Sequence, residues 1–390
     1  MKRVLVGAAA IASALTLIGV ALVVTGSVSM SGPLPRVGAA ASPTSAPATA
    51  APSPPPTASP TPTPTPTPTP VPTPVLVPGP LTGLPVSPEV AARHPIAVMI
   101  DDLGPARPQS GFSDASVVWH APAEGGIPRY MLMFAERIPG EVGPVRSARH
   151  YYIAWAAEWR ATYVHGGGSP QALATLRRSG QGQLVYNADE FRWGGTYLWR
   201  SADRSSPHNV YTDGDNLRAL AERVGAEDGA QQPVWAFGPE APLRERPLGG
   251  RLAMAYPANE IEYAYDRVTN TYVRSVTGAD PQEDGATGEV VAPKNVVVML
   301  VRFGPLADAQ PEKGRLEADV VGSGVAWIAS NGRTIRGTWR KPAIDAPTRF
   351  FDAAGRPARL VAGQTFVQVL DTGSEVEVED GTLTRPTGRP

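Results

Sequence analysis

Between Arg36 and Glu89 the chain carries no charged residue, and the centre of that stretch is a Thr-Pro repeat running from Thr61 to Pro70. Proline fixes its own backbone, lacks an amide donor and biases the preceding residue to extended geometry, so this stretch has neither the ladder bonds nor the apolar pattern of a packed core. It reads as a disordered, semi-rigid polyproline-II-like stalk that reaches up to about 120 Å from Ser42 to Pro80. A plain spacer, threonine O-glycosylation and a proline-rich ligand are the three readings of such a composition, and export argues against the last. Folding is thereby confined to the residues after Pro80.

Ahead of the stalk, a Met1-Lys2-Arg3 head precedes an uncharged apolar run from Val4 to Val24. A helix needs about 20 residues to cross the hydrocarbon core, and a cleavable signal has a shorter apolar region of roughly 7 to 15. The run therefore reads as a retained single-pass transmembrane anchor, with cleavage after Val37-Gly38-Ala39 as the alternative. Lys2 and Arg3 stay in the cytoplasm by the positive-inside rule, which exports everything after Thr25. The chain has no cysteine, so disulfides, thiolate chemistry and lipid attachment through a cysteine are excluded. A net charge of −1 without a block of like charge leaves no electrostatic footprint for nucleic acid.

Beyond Pro80, short apolar runs alternate with Gly, Pro and Asp. The segments 96–100, 116–120 and 130–135 have strand patterns, 149–160 has helical spacing, and 162–165 is a further strand. A helix opens at Ser169-Pro170, with serine as cap and proline in the first turn, and another spans 213–224. That alternation predicts an α/β domain over residues 80–230, followed by a connection over 231–258. The last third is different in kind: strand patterns at 261–265, 271–274, 295–303, 325–329, 334–339 and 365–370 predict a smaller, mostly antiparallel β domain over 259–370. Residues 371–390 read as a polar tail. The expected fold is α+β, preceded by the cytoplasmic head (1–3), the transmembrane helix (4–24) and the stalk (25–79).

Two motifs suggest chemistry. In His165-Gly166-Gly167-Gly168-Ser169-Pro170-Gln171 a strand ends in glycines where a helix opens, an arrangement whose amides attract anions; the structural alternative is a tight turn capped by Ser169. An oxyanion loop of the esterase kind would need a Gly-x-Ser-x-Gly elbow, which the chain lacks. In Gly143-Pro144-Val145-Arg146-Ser147-Ala148-Arg149, two arginines three apart about a predicted helix start are placed to grip a carboxylate or phosphate from one face, or else to form salt bridges. Arg107, Glu124 and Arg129 fall in loops at strand ends, and His208 in the loop Pro207-His208-Asn209. None of the five histidines has metal-ligand spacing, so neither a metal nor a cofactor is expected. The pairs Asp101-Asp102 and Glu283-Asp284 lie outside any calcium-loop pattern and read as solvated carboxylates.

The region from Leu81 to Leu370 resembles the YerB-like family of bacterial envelope lipoproteins, a two-part domain of unknown function. The first part of the resemblance rests on Pro80–Pro85, Arg107-Pro108-Gln109-Ser110, Glu124-Gly125-Gly126, Gly143–Arg149, the His165 turn and Pro207-His208-Asn209. The second rests on Lys294–Val298, Gly322-Ser323-Gly324, Gly337-Thr338-Trp339 and Gly363–Val369. It implies an envelope protein outside the cytoplasm and carries no reaction to assign to residues. Family members look like lipoproteins with a cysteine at the membrane; here the apolar helix and stalk take that place.

Two functions compete. One is a non-catalytic module that binds an anionic cell-wall component or a wall-synthesis protein through Arg107, Arg129, Arg146, Arg149 and the turn Gly166, Gly167, Gly168, Ser169. The other is an envelope hydrolase or transferase with His165 or His208 as general base beside Glu124 and the arginines holding the substrate's charge. A structural adaptor docking through the β domain is a third.

Overall fold

The structure, a computed structural model, describes residues 75–278 and 280–383. The segment read as a membrane anchor and residues 25–74 of the stalk lie outside the described residues, among which no helix is long and apolar enough to cross a membrane. The last residues of the predicted stalk are structured, because Val77–Pro78 pairs with Pro85–Val86.

The first region supplies strands β1 (Ile96–Asp101), β2 (Val117–Ala121), β3 (Arg129–Phe134), β4 (Thr162–His165) and β5 (Tyr186–Asp189). The second supplies β6 (Arg251–Tyr256), β7 (Asn259–Asp266), β8 (Thr271–Val276), β9 (Asn295–Val301), β10 (Gly322–Ser330), β11 (Arg333–Lys341), β12 (Arg349–Phe351), β13 (Thr365–Asp371) and β14 (Val376–Glu379). Three helices matter for the site: α1 (His150–Ala156), α2 (Pro170–Leu176) and α3 (Gly214–Arg223). The architecture is mixed α+β, with one 10-stranded sheet in the order β12-β11-β10-β9-β13-β2-β3-β1-β4-β5 and a separate 4-stranded antiparallel sheet in the order β8-β7-β6-β14. The large sheet thus draws on both sequence regions, which meet where β13 runs parallel to β2 from Thr365↔Val117 to Gln368↔His120. β14 falls within the stretch read as a polar tail; its alternation turns Val376 and Val378 inward and Glu377 and Glu379 outward.

Every residue of β1 is buried, as expected for a strand covered on both faces. Ala97 and Met99 join the core on one face, where Trp155 of α1 stacks on Trp119 at 4.8 Å. Ile96, Val98 and Ile100 join the other, under α3 and the small sheet. Strand β7 alternates strictly, with Asn259, Ile261, Tyr263 and Tyr265 buried and Glu260 and Glu262 exposed. Its buried face lies on the large sheet and its charged face meets solvent.

Close approaches explain two of the glycine-bearing segments. Gly324 of β10 stands opposite Trp339 of β11, whose indole Nε1 donates to the Leu300 carbonyl at 2.8 Å. A Cβ on Gly324 would lie 2.5 Å from that Nε1 and 2.7 Å from that carbonyl, so only glycine leaves the indole room. At the entry to the fold, the amides of Leu81 and Thr82 bond the Glu136 carboxylate at 2.8 and 3.1 Å, and Gly363 donates to the Thr82 carbonyl at 2.8 Å. Since β1, β2, β4, β5, β9 and β13 all run one way, this entry lies at their amino ends and leaves the carboxyl ends at the opposite pole.

Candidate functional site

At the carboxyl ends of β1, β2 and β4, the chain from Gly143 to Ala148 is laid across the sheet as an extended segment. Through their backbone amides, Asp101 donates to the Pro144 carbonyl (3.1 Å), Arg146 to Met99 (2.8 Å), Val145 to Val210 (2.7 Å), Gly166 to Arg146 (3.0 Å) and Ala148 to Gly167 (2.9 Å). This pairing holds the segment out of helical geometry until Arg149, the residue before α1. Arg146 and Arg149 therefore do not share a helix face, contrary to the spacing argument. Each meets a different carboxylate.

Four arginines and three carboxylates gather here. Arg146 Nε donates to Asp101 Oδ2 at 2.8 Å, and Arg107 Nη2 to Asp102 Oδ1 at 3.0 Å. Arg149 grips Glu124 with both Nε (2.5 Å to Oε2) and Nη2. Arg129 stands opposite Asp101 in the β1–β3 ladder, donates to the Ser147 carbonyl at 2.6 Å, and comes no closer to a carboxylate than 3.9 Å, at Glu124. Glu124 is already committed to Arg149. Burial, and next the charge of Arg149, push Arg129 down to about 10 against the pull of Glu124 and Asp101. Burial also opposes the charge of Glu124, but the hydrogen bonds and charge of Arg149 hold its carboxyl below the usual range.

Consecutive aspartates at the end of β1 each hold a histidine. His208 Nδ1 lies 2.6 Å from Asp101 Oδ2, the oxygen that also receives Arg146, while the Leu103 amide donates to Oδ1 at 3.3 Å. His208 Nε2 has no hydrogen-bond partner among the described residues and is not sealed from solvent. An aspartate fixed in this way keeps the imidazole proton on Nδ1 and leaves the Nε2 lone pair free to accept one. Arg204 ties the His208 loop to the Arg107 loop by donating to the carbonyls of Pro105, Arg107 and Pro108.

Asp102 points inward. Its Oδ2 receives His120 Nε2 at 2.9 Å and Asn259 Nδ2 at 2.7 Å, and its Oδ1 receives Arg107 and, at 3.2 Å, Gln109. Burial opposes its ionisation, but the hydrogen bond from His120 and the charges of Arg107 and Arg274 hold the carboxyl below its usual range. Burial likewise pushes His120 down, against the hydrogen bond and charge of Asp102. Its Nδ1 lies 2.7 Å from Gln368 Oε1 across the junction of the two regions, and Gln368 Nε2 donates to Tyr263 Oη at 2.6 Å. The buried Arg274 donates from Nε to the same hydroxyl at 3.1 Å, with its guanidinium 5.4 Å from the Tyr130 ring centre. A continuous buried polar network thus runs from the small sheet to the arginine cluster.

The model of the protein of unknown function (DUF3048) N-terminal domain matches residues 81–227, and that of the DUF3048 C-terminal domain matches 252–367. The putative lipoprotein YerB of Bacillus subtilis (strain 168) is 31% identical over 278 residues, which cover 67% of this chain and 77% of that protein. The chain belongs to the YerB-like DUF3048 family. The crystal structure of YerB protein from Bacillus subtilis superposes with a TM-score of 0.67 at 28% identity, covering 77% of this chain and 99% of that one.

Of the segments that carry the family resemblance, those containing Arg107, Glu124, Arg146 with Arg149, and His208 converge on this cluster, and the His165 turn adjoins it through the Gly166–Arg146 bond. His165 itself is buried, with Nδ1 2.7 Å from the Gly167 carbonyl and Nε2 2.8 Å from Asn187 Oδ1, so both ring nitrogens are engaged in fastening the turn. Three of the four amides expected to receive an anion, those of Gly166, Gly167 and Ser169, are occupied as well. Gly166 donates to Arg146, Gly167 to the Asp189 carboxylate at 2.9 Å and Ser169 to Ala148, while Ser169 Oγ caps Ala172 at 3.2 Å. Gly167 has φ +63, and a Cβ there would meet the Phe191 ring at 2.6 Å. Gly168 lies against Ala148, where a Cβ would come within 3.1 Å. These contacts fasten the turn to the end of β5 and to the segment leading into α1.

Asp101, Asp102, His120, Asn259, Arg274 and Gln368 escaped the sequence reading. Asp101 and Asp102 are buried rather than solvated, and so is Asp284, which receives the Gly111 and Ser113 amides at 3.0 and 2.8 Å. For Asp101 and Asp102 the signal was position: they close a fully buried apolar strand, where α/β sheets build sites. Among the described residues no group of three or more histidines and acids is arranged to hold a metal ion.

Proposed function

We propose that this protein is an extracytoplasmic envelope module that binds an anionic cell-wall polymer at the arginine cluster. The observation that carries the reading is the surplus guanidinium: Arg107, Arg146 and Arg149 each have a carboxylate, and Arg129 has none in bonding reach. An arriving anion would meet a preformed fork of donors and supply the missing charge. Display at the membrane is supported by the lipoprotein name of the Bacillus relative and by the apolar segment Val4 to Val24. A groove of about 680 Å³, walled by Pro122, Gly126, Tyr256, Pro257 and Phe303, opens beside the Glu124 turn and gives an extended polymer a track.

Calorimetric titration of the full chain in detergent with a soluble anionic wall polymer tests this. Binding that weakens with salt, and that Arg129→Ala weakens by about 10- to 100-fold, is expected for loss of a charge-assisted hydrogen bond. Equal affinity in the variant, or no binding at all, contradicts it.

A further inference from the structure

We infer that the same cluster hydrolyses phosphodiesters, with His208 as the general base, an activity that rests on the anion-binding reading above. Two observations combine. The first is the Asp101–His208 pair, at 2.6 Å, with Nε2 free among the described residues. The second is that Asp101 Oδ2 also receives Arg146, and that Arg129 stands opposite Asp101 on the neighbouring strand. The base and the anion-holding guanidinium groups therefore share one anchor. A ligand whose charge is held there places that charged group itself beside the base.

This arrangement selects the substrate class. A carboxylate in the cluster offers no bond to hydrolyse, whereas a phosphodiester carries its negative charge on the atom that is attacked. The surplus of one guanidinium among Arg107, Arg129, Arg146 and Arg149 over Asp101, Asp102 and Glu124 matches the single charge of one diester linkage. Arg274 shares the Asp102 charge with Arg107 but is buried beneath Tyr130 and Tyr263, apart from the four arginines. No hydroxyl among the described residues bonds Nε2, so the nucleophile is water.

In the step itself, the water oxygen bonds to phosphorus while its proton passes to His208 Nε2. The bond from phosphorus to the leaving oxygen breaks on the side opposite the attacking water, the departing alkoxide takes a proton from solvent water, and His208 returns its proton to solvent. A phosphomonoester and an alcohol result, and water is the only co-reactant. Arg129 and Arg146 face the charge that gathers on the non-bridging oxygens, where fixed donors are most effective. Asp101 is a positioning residue: it sets the imidazole tautomer and touches no reacting atom.

The test monitors 4-nitrophenolate release from bis(4-nitrophenyl) phosphate by the full chain in detergent, alongside calorimetry with poly(glycerol phosphate). Turnover is expected, with His208→Asn lowering kcat by about 100-fold or more and KM shifting by less than about threefold. Asp101→Asn is expected to lower kcat with KM shifting by less than about threefold, a split that a merely structural role would not give. Unfolding midpoints verify the folded state, and His208→Gln replaces His208→Asn should the latter fail to fold. Polymer binding without turnover, or turnover equal in wild type and variant, overturns the hydrolysis and leaves binding standing. Absence of both overturns the binding reading as well.

Discussion

Asp102 shows how much a single side chain holds in place. Its two oxygens receive His120, Asn259, Arg107 and Gln109, groups drawn from both sequence regions. Asp102→Asn keeps the shape and removes the charge, leaving Arg107 and the buried Arg274 without their shared counter-ion. Breaking a buried pair from one side costs about 3 to 5 kcal/mol, so the variant is expected to unfold at correspondingly lower urea concentration. His94 gives a pH signature at the same scale. Burial, and next the charge of Arg218, push it from 6.5 down to about 4, and its Nε2 is sealed without a partner. Between those values the unfolded chain binds a proton that the folded chain refuses, so stability must fall as pH drops through that window. The shift corresponds to about 3 kcal/mol at most. Urea titrations at stepped pH should show this loss in wild type and a flatter profile in His94→Gln; parallel profiles would contradict it. The depressed carboxyls of Asp102 and Glu124 contribute stability that is full above the ordinary carboxylate range and is lost as pH falls below it, at lower pH than the His94 window.

At the scale of elements, the 3-10 turn after α1 is pinned to β11 by an ion pair with no exposed surface, Lys341 Nζ to Glu158 Oε1 at 2.9 Å. Lys341→Met strands the Glu158 carboxylate and is expected to cost about 3 to 5 kcal/mol, while adding Glu158→Leu should recover most of it, as a double-mutant cycle in urea would measure. Gly324→Ala should cost about 1 to 3 kcal/mol by crowding the Trp339 indole, with a change in tryptophan emission. Elements with strong local patterns were legible in the sequence: β4, the Ser169-Pro170 start of α2, and α3 lie where expected. What local pattern misjudged was α1, expected from Arg149 to Arg160. Its α-helical turns end at Ala156 and pass through a 3-10 turn to Arg160 at φ 48. The opposed directions of Arg146 and Arg149 were also hidden, because only pairing with Met99, Val210 and Gly167 keeps that segment extended. Strand β14 was masked by its charged face, which outweighs two valines in composition but not in alternation.

Over the whole molecule, the parallel junction of β13 with β2 and the buried network through Gln368 and His120 join what composition and texture divide. The described residues belong to one compact unit. Unfolding in urea should therefore be a single transition, coincident by far-ultraviolet circular dichroism and tryptophan fluorescence, and separate pieces 80–230 and 231–390 should remain unfolded until mixed. Independent folding of either piece would contradict this. The junction was not legible because parallel pairing between distant segments leaves no local mark; β2 and β13 are each short apolar runs that fit many partners. The candidate site was legible in its loop residues, Arg107, Glu124, Arg146, Arg149 and His208, and illegible in the aspartates that organise them, since carboxylates in a pair read first as solvated. The most direct measurement is a crystal structure of the protein soaked with a glycerol phosphodiester. The anion should lie within hydrogen-bonding distance of Arg129 and Arg146 and beside His208 Nε2; an anion bound elsewhere, with this cluster unchanged, would contradict the account.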